Sequence, residues 1–588
     1  MISAVAKIGR LIKEIEKHGK INIIYSETNK STEQGYIFAI VVDSDEDYQF
    51  KELSVEQFDP EKISRYLYKE GESKGNRPAP IAPLTEPEKT FEKILRWLEK
   101  CAKLSELEEE ERKIPEKMVK NLKEKEKLIL SELDSKLKEV PKKAGKYLTV
   151  KIGNSYIGDI ELFRKAHLKI TLEKIKKSSA ENKTCSICGE VKENVSARTY
   201  VYNFDTDDKP GFITWFDKNN FWKNFPVCQE CRELLKKGRE FIDSQLTFNF
   251  CGFRYQVIPN ILKDDAEVFN EIVDILSHTR KDISLKDKTI KRITSDEKEI
   301  LPYLSQKEDN VTFNLLFLET QQSAERIVLL IEDVYPSRLK KIFKAKKQVD
   351  NLFTKADFKF DTLRLFFKKS DTQKKNFDLD KYFLEIVDSV FKGRKINFKF
   401  IVKFFMQNIR EQLVQDKNYL DRTRDAFICV KFFEELGILD FQEVTMETGI
   451  FEQIFEKYGK SLNTPEKRAI FLLGALTQML LNKQRFERSG KHTSPPFMKK
   501  LKSLKMDEKD IKALLPEVVN KLIEYDAFDT GKKIIAQEAS RYFLEAGDNW
   551  KMHTDELNFY FACGMNMSDE IKNIVYTEGK EGEQNEQK

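Results

Sequence analysis

The sequence predicts a multidomain α+β protein: an N-terminal mixed α/β region with an inserted four-cysteine module, followed by a C-terminal all-α helical bundle. Three observations predict this fold class. Apolar runs of strand length occur as far as residue 332, two Cys-x-x-Cys pairs lie within 185–231, and helical periodicity dominates from Lys381 onward. A chain of 588 residues also has room for roughly three or four domains.

The N-terminal region opens with an amphipathic helix over 1–19, where apolar residues recur at helical spacing among Lys and Glu. This pattern is not that of a signal peptide, so we expect a cytosolic, reducing compartment. Strands are predicted at 21–25 and 35–42. Residues 86–143 are almost purely helical, and we expect Pro115 to interrupt them and Pro141 to end them.

A glycine-rich segment, 153–159, follows a predicted strand at 147–152 and has the Gly-x-x-x-x-Gly skeleton of a phosphate-binding loop. Asp159 stands where such a loop needs Lys, and its carboxylate would repel phosphate. We therefore predict a strand-turn-strand here.

Among the remaining elements, strands are predicted before residue 335 and helices after it. Strands are predicted at 248–258, 311–319 and 326–332, and a short basic helix at 335–347. In the C-terminal bundle, Thr464 and Asp507 are expected to cap helices, and the run 470–481 is apolar nearly all round, as a central helix would be. The predicted domains are 1–160, 161–260, 261–440 and 446–576, with a disordered tail over 577–588.

The four-cysteine module carries the most specific motif in the chain. Its two Cys-x-x-Cys pairs supply the ligands Cys185, Cys188, Cys228 and Cys231. Four thiolates suit the tetrahedral geometry of Zn²⁺, and a filled coordination sphere predicts a structural rather than a catalytic ion. An iron–sulfur centre uses the same ligands, and redox-active or simply buried thiols are the remaining alternatives.

The other four cysteines, Cys101, Cys251, Cys429 and Cys563, lie among apolar residues, and we expect them to be buried thiols. The nine aromatic residues between the two Cys-x-x-Cys pairs are expected to form the small core and docking face of the module. A base-stacking role for one or two of them is the alternative.

Positive charge is concentrated in one region. The whole chain has a net charge of +5, whereas 334–410 contains 20 basic and 8 acidic residues. This asymmetry predicts a polyanion partner; the alternative is a solvated lysine-rich face. The candidate contacts in this region are Arg338, Lys340, Lys341, Lys344, Lys346, Lys347 and Arg394.

Two further basic segments are candidates for nucleic-acid contact. The first is the proline-punctuated loop with Lys74, Asn76 and Arg77, which is equally well explained as a structural turn. The second, from Lys483 to Lys505, has eight basic residues and one acidic residue. Its candidate contacts are Lys483, Arg485, Arg488, Lys499, Lys500 and Lys502.

The order of these parts resembles one family, the large subunit of type I-B CRISPR effector complexes (Cascade). Four stretches carry the resemblance: 76–84 (NRPAPIAPL); the cysteine module with its DKPGF at 208–212 and FPVC at 225–228; 331–339 (IEDVYPSRL); and the C-terminal segments 464–474 (TPEKRAIFLLG) and 496–502 (PFMKKLK). The resemblance spans nearly the whole chain.

The resemblance implies a non-catalytic subunit of an RNA-guided DNA surveillance complex in antiviral defence. Such a subunit contacts target DNA, reads a short flanking motif (the PAM) and holds the opened duplex, while guide RNA pairing reads the sequence. The implied partners are guide RNA, target DNA, the other subunits of the complex and a recruited helicase-nuclease in a prokaryotic cytoplasm. The alternative is a zinc-ribbon nuclease or polymerase-like enzyme, for which Asp205, Asp207 and Asp208 form the candidate acidic cluster.

Overall fold

A computed structural model describes most of the chain and divides it into two compact units. The described residues are 1–17, 35–44, 47–59, 62–67, 77–105, 107–141, 144–176, 179–197, 199, 201–202, 217–261, 311–321, 324–353, 356–370, 377–415, 417–439, 441, 449–488 and 494–585. Among them, the first unit comprises 1–246 and 319–327, and the second comprises 247–261, 311–318 and 328–585. The predicted strand at 21–25 lies outside the described residues.

The first unit is built on a sheet whose central strand is buried on both faces. Its strands are β1 (Tyr36–Val42), β2 (Phe50–Gln57), β3 (Ala82–Pro83), β4 (Lys146–Ile152) and β5 (Ser155–Tyr156). The order is β2-β1-β4-β3, with β1 parallel to β4, and β5 pairs with β4. Side chains alternate along β1, so Phe38 and Ile40 enter the larger core while Ile37 and Ala39 enter a smaller one on the opposite face.

The described part of the first unit also contains six α-helices: α1 (Ile2–Lys17), α2 (Pro87–Ala102), α3 (Glu109–Glu124), α4 (Glu126–Leu137), α5 (Glu161–Lys176) and α6 (Gln229–Gln245). The predicted first helix is confirmed as α1, which packs on α6 through two glycines. A Cβ on Gly9 would lie 1.9 Å from the Leu234 carbonyl oxygen. A Cβ on Gly238 would lie 2.0 Å from the Val5 carbonyl oxygen. Only glycine allows the two backbones to approach this closely.

The prediction that Pro115 interrupts the long helical segment is wrong. Pro115 lies inside α3, with its ring buried. The chain instead breaks between α2 and α3, where the Glu108 side chain accepts from the backbone at Glu111 and the Glu111 side chain accepts from the Glu108 N–H. This reciprocal capping supplies partners for N–H groups that a new helix leaves unpaired, and it sets the boundary.

The segment after β4 is a strand-turn-strand, as predicted. Gly153 has a φ of +56° in the turn between β4 and β5, and Asp159 binds Arg65 through two hydrogen bonds of 2.8 Å. The Asp159 carboxylate also accepts from the Tyr156 N–H at 2.9 Å. Asp159 therefore holds a turn in place instead of facing a phosphate.

Most of an antiparallel sheet in the order β12-β11-β10-β9 belongs to the second unit. Its strands are β9 (Thr247–Phe250), β10 (Phe253–Ile261), β11 (Val311–Gln321) and β12 (Ala324–Val334), which confirm the three strands predicted before residue 335. The first prediction, 248–258, divides into β9 and β10 because Cys251 and Gly252 take positive φ values of 49° and 81° and form a hairpin turn.

The described residues after β12 form the following helices: α7 (Pro336–Leu352), α8 (Phe360–Leu365), α9 (Asp380–Lys392), α10 (Phe398–Val414), α11 (Tyr419–Glu435), α12 (Glu452–Tyr458), α13 (Pro465–Glu487), α14 (Glu508–Glu524), α15 (Thr530–Ala546), α16 (Thr554–Asn566) and α17 (Ser568–Asn585), with 3₁₀ turns at 459–462 and 496–504. As predicted, α13 is the central helix: residues 467–481 are all buried. Asp507 caps α14 through its side chain, whereas Thr464 precedes α13 without a side-chain capping bond.

Two observations bear on the predicted C-terminal boundaries. α10 and α11 pack against α16, so the predicted bundle beginning at 446 contacts helices that precede it. α17 continues to Asn585, into the segment predicted as a disordered tail. The boundary at 446 stays a prediction.

Candidate metal centre and basic surfaces

The two Cys-x-x-Cys pairs converge at one end of a small three-stranded sheet. β6 (Ser179–Thr184), β7 (Val191–Ser196) and β8 (Val227–Cys228) pair in that order. Cys185 and Cys188 lie in the turn between β6 and β7. Cys228 ends β8, and Cys231 lies in the first turn of α6. The sheet and the helix start therefore bring the two pairs together across 39 intervening residues.

The first turn is fixed by its own backbone. The Gly189 N–H donates to the Cys185 carbonyl at 2.9 Å, and Gly189 takes a φ of +74°, a left-handed conformation that favours glycine. The Ser186 N–H donates to the Pro226 carbonyl at 2.7 Å. This last bond joins the turn directly to the strand that carries the second pair.

The sulfur arrangement fits a tetrahedral metal ion. The Sγ atoms of Cys185, Cys188, Cys228 and Cys231 all lie within 4.8 Å of one another. Four thiolates around one zinc ion at ~2.3 Å would stand about 3.8 Å apart, so only a small contraction is needed. Three of the four cysteines are buried, and four protein ligands leave no open coordination position.

The electrostatics of this cluster also favour a cation. Burial acts to raise the pKa of Cys185, but backbone N–H groups, including that of Cys228 at 3.3 Å from the Cys185 sulfur, outweigh it and lower the pKa to about 7. Burial and the neighbouring thiols raise the pKa of Cys231. The four groups cannot all ionise beside one another without a positive ion to offset the repulsion.

The remaining cysteines behave as predicted. Cys101, Cys251, Cys429 and Cys563 are all buried and form no disulfide. Burial raises the pKa of each of these four thiols. Each acts as a small apolar side chain rather than as a reactive group.

The basic segment after residue 335 forms a helix, α7, as predicted. Ile342, Ala345 and Val349 bury one side of it. At ~100° per residue, Lys340, Lys344 and Lys347 fall within an arc of about 60° on the opposite side. All three are exposed, and we call them the lysine stripe. The sequence analysis treated all the cations of this segment alike; the buried face shows which of them share the exposed side.

Three other predicted contacts in this region bind protein groups. Arg338 is half-buried, and its Nε and Nη2 donate to the Val390 carbonyl near the end of α9 at 2.9 and 2.6 Å. Burial lowers the pKa of Arg338. Lys346 pairs with Asp350 at 2.5 Å, and Arg394 pairs with Asp388. Their role in nucleic-acid contact stays a prediction.

We call the basic residues from Lys483 to Lys505 the basic strip. It consists of the end of α13 and the 496–504 turn, which lie side by side. The Phe497 N–H at the start of the 496–504 turn donates to the buried Gln484 side chain near the end of α13, at 3.1 Å. Several of the predicted cations have acidic partners: Lys483 with Glu487 at 2.7 Å, Lys500 with Glu517 at 3.1 Å and Lys502 with Asp510 at 2.5 Å. Arg485, Arg488 and Lys499 are exposed.

The structure also places a residue that the sequence analysis passed over. Arg410 of α10 donates to the Leu504 carbonyl at 2.8 Å and so supports the basic strip from 94 residues away. No sequence signal relates the two, because the contact arises from helix packing.

Of the predicted N-terminal loop contacts, Arg77 is exposed. Lys74 and Asn76, and the acidic candidates Asp205, Asp207 and Asp208, lie outside the described residues.

None of the helices in the described part of the chain is both long and apolar enough to cross a membrane. A search of curated proteins finds no match to the sequence. Three family models match it in order, all describing CRISPR-associated protein TM1802: the N-terminal domain over residues 1–169, the central domain over 182–334 and the C-terminal domain over 358–579. These matches are consistent with the resemblance to type I-B large subunits. Because together they cover most of its length, the chain belongs to the CRISPR-associated TM1802 family.

Proposed function

We propose that this protein is a non-catalytic large subunit of an RNA-guided DNA surveillance complex, and that its four-cysteine cluster holds a structural Zn²⁺. Family membership supports a role in a CRISPR system. Within the described residues, the four cysteines are the one group of His, Cys, Asp or Glu side chains close enough to share a metal ion. A four-thiolate site has no position for substrate or water, which favours a structural ion.

The lysine stripe on α7 carries the nucleic-acid part of this proposal. Its three ammonium groups project from the side of the helix opposite the buried face, at spacings of four and three residues. Within the described residues, Lys344 and Lys347 have no acidic partner, and the exposed Lys341 beside them has none either. Such a stripe can neutralise successive phosphates without reading base sequence.

The test reverses the charge of the stripe in the full-length chain. A Lys340→Glu, Lys344→Glu, Lys347→Glu variant should bind duplex DNA far more weakly. Three lost phosphate contacts should also reduce the slope of log affinity against log salt by roughly two to three units. Fluorescence anisotropy over a salt series measures both quantities.

α3 offers a matched control with the same spacing. Lys113, Lys117 and Lys120 are also exposed at four- and three-residue steps, and their reversal changes net charge by the same amount. We expect this control to alter the salt slope little. Equal effects of the two triple variants would show that only net charge matters, and the stripe would not be a contact site.

We further propose that the chain recognises the flanking motif. Among the described residues, Arg77 is the candidate for this contact. An exposed Arg can pair with guanine edges in the major groove. The Arg77→Ala variant should then lose preference for motif-bearing over motif-free duplexes while keeping its affinity for the latter. Equal loss on both duplexes would assign Arg77 a structural or sequence-blind role.

The proposed partners follow from membership of such a complex: guide RNA, target DNA, the other subunits and a recruited helicase-nuclease, all in a prokaryotic cytoplasm. Guide pairing would read the target, and this chain would hold the opened duplex. Co-purification of an RNA and sister subunits with a tagged chain expressed from its own genome would support this assembly, and isolation of the chain alone would oppose it.

A further inference from the structure

β12 is an edge strand that contains an unbroken apolar run. In the sheet order β12-β11-β10-β9 it has β11 on one side, and within the described residues no strand pairs with its other side. The run, Ile-Val-Leu-Leu-Ile, occupies 327–331. An edge strand of this kind presents a row of backbone N–H and C=O groups that have no strand partner.

The side chains of this run are only partly covered. On the neighbouring strand β11, residues 311–318 are all buried. On β12, Ile327 is 37% exposed, residues 328–330 are half-buried, and only Ile331 is fully buried. Apolar surface therefore meets water along this edge of the sheet.

The run also lacks the residues with which proteins usually protect an open edge. Such edges commonly carry lysine, proline or a bulge that prevents another strand from pairing. Residues 327–331 contain no charged residue and no proline. A short apolar segment of high β-propensity at an open edge readily accepts a further strand, so the composition indicates that a strand from outside the described fold covers it.

Contacts within the chain fix both ends of the open segment. Before it, the Glu325 carboxylate binds Arg239 at 2.6 Å. After it, Asp333 takes a left-handed φ of +55° and accepts a hydrogen bond from the Thr312 hydroxyl at 2.9 Å. The segment available for pairing is therefore 326–332, and Leu329 lies at its centre.

The apolar side chains are self-complementary about this centre. If two such strands pair in antiparallel fashion about Leu329, Ile327 of each lies opposite Ile331 of the other, and Val328 lies opposite Leu330. Residues two apart share a face of the sheet. The exposed Ile327 of one copy would thus lie beside the buried Ile331 of the other and lose its contact with water.

The charges at the two ends match in the same arrangement. Arg326 and Glu332 are both exposed and flank the apolar run, and antiparallel pairing about the centre places each opposite the other. Glu332 already interacts within its own chain, so the apolar pairs set the register and the charges add to it. A parallel pairing in register would instead place like charges together.

We propose that β12 pairs with β12 of a second copy of this chain, in antiparallel fashion about Leu329, so that two four-stranded sheets become one continuous sheet. The contact uses the same surface on both copies and closes under two-fold symmetry, as most homodimer interfaces do. It goes beyond the proposed function, because it concerns association of the chain with itself and not with nucleic acid.

A lysine within the run tests whether this edge is the contact. The unaltered full-length protein should sediment as a dimer that dissociates on dilution. Val328→Lys should sediment as a monomer over the same series, because it places a charge against the apolar edge of the partner. Val414→Lys is the matched control: Val414 is 72% exposed on α10, and its replacement should leave the dimer intact.

Charge exchange tests the register of the pairing. Arg326→Glu and Glu332→Arg should each weaken self-association roughly tenfold, because each places like charges opposite each other at both ends. A mixture of the two variants should recover the dimer, since opposite charges then face each other at both ends. Recovery would also show that both variants are folded.

Each of these measurements can contradict the proposal. An unaltered protein that stays monomeric at every concentration would overturn it, and so would a dimer that survives Val328→Lys. A mixture that associates no better than either charge variant alone would overturn the antiparallel pairing about Leu329. Sedimentation is measured without DNA, so the result does not depend on the proposed nucleic-acid function.

Discussion

The four-cysteine module and the α13–α16 core differ in how much apolar surface they bury. Four of the six residues of β6 are exposed, so the module's short sheet buries little apolar surface. α13 is buried all round over 467–481, and most of α16 is buried as well. Small regions with little apolar burial commonly depend on a bound ion, whereas large apolar interfaces sustain themselves.

The largest expected effect that tests this contrast is loss of a metal ligand. Cys228→Ser should release the metal and unfold the module over 185–231. Apparent binding free energies of structural zinc reach about 10–16 kcal/mol, which is as large as the whole stability of a typical domain, about 5–15 kcal/mol. Metal analysis should fall from about one zinc per chain to near zero, and limited proteolysis should then cleave within the module.

Cys101→Ala is the control for the ligand variant. Cys101 is fully buried but is not among the four clustered sulfurs, so this substitution should retain the metal and cost only a modest packing penalty. A Cys228→Ser protein that keeps its metal and its protease resistance would show that the module does not depend on the four-ligand site.

A smaller effect should follow from crowding the helical core. A Cβ on Gly564 of α16 would lie 1.8 Å from the Phe471 carbonyl oxygen of α13. Gly564→Ala must therefore separate the two helices, and overpacking of this kind costs about 1–3 kcal/mol or more. The free energy of unfolding in urea measures the loss, and metal content should not change.

Gly437→Ala separates steric overlap from backbone strain. Gly437 follows α11 with a φ of +67°, and a Cβ there would meet no atom within 4 Å. Its replacement should cost only the ~1 kcal/mol of a left-handed L-residue. Equal losses in the two variants would mean that the α13–α16 contact tolerates separation, contrary to the packing described above.

The smallest effects should appear in the pH dependence of stability at two carboxylates outside these two regions, Glu434 of α11 and Asp159 after β5, with opposite signs. Burial raises the pKa of Glu434 above 4.5, although Lys431 lies 3.1 Å away. Hydrogen bonds from Arg65 lower the pKa of Asp159 in the N-terminal unit below 3.8. Glu434 therefore destabilises the fold as pH rises above 4.5, and Asp159 stabilises it until pH falls below 3.8.

Two isosteric variants measure these effects by thermal unfolding. Glu434→Gln should become more stable relative to the unaltered protein as pH rises above 4.5. Asp159→Asn should be less stable at neutral pH, and its deficit should vanish as pH falls below 3.8. A pH-independent difference in either variant would contradict the pKa shift assigned to that residue.

Much of the candidate site was predictable because its signals are local. The Cys-x-x-Cys pairs identify all four clustered sulfurs, and the short basic helix predicted at 335–347 is observed as α7. The break attributed to Pro115 was misplaced because a capping pair at Glu108 and Glu111, rather than the proline, sets the boundary of α3. The low helix propensity of proline predicted the wrong position for the break, because side-chain hydrogen bonds to the backbone determine where α3 begins.

Other features could not be read from sequence because they depend on residues far apart in the chain. Arg338 and the lysine stripe look equivalent as a run of cations, yet one bonds the end of α9 and the others face outward. Which side of α7 is buried follows from the helices packed against it. The same holds for the hydrogen bond from Arg410 of α10 to the Leu504 carbonyl, which joins residues 94 positions apart.

The sequence by itself determined most element types, the four cysteines that could hold a metal ion and the regional excess of positive charge, since each depends on residues close in the chain. The tertiary structure decided which cations remain exposed, which glycines are required for close helix packing and which distant side chain bonds the Leu504 carbonyl. Those properties depend on which backbones approach each other and on which polar groups lose water. Both are determined by packing between residues that lie far apart in the chain.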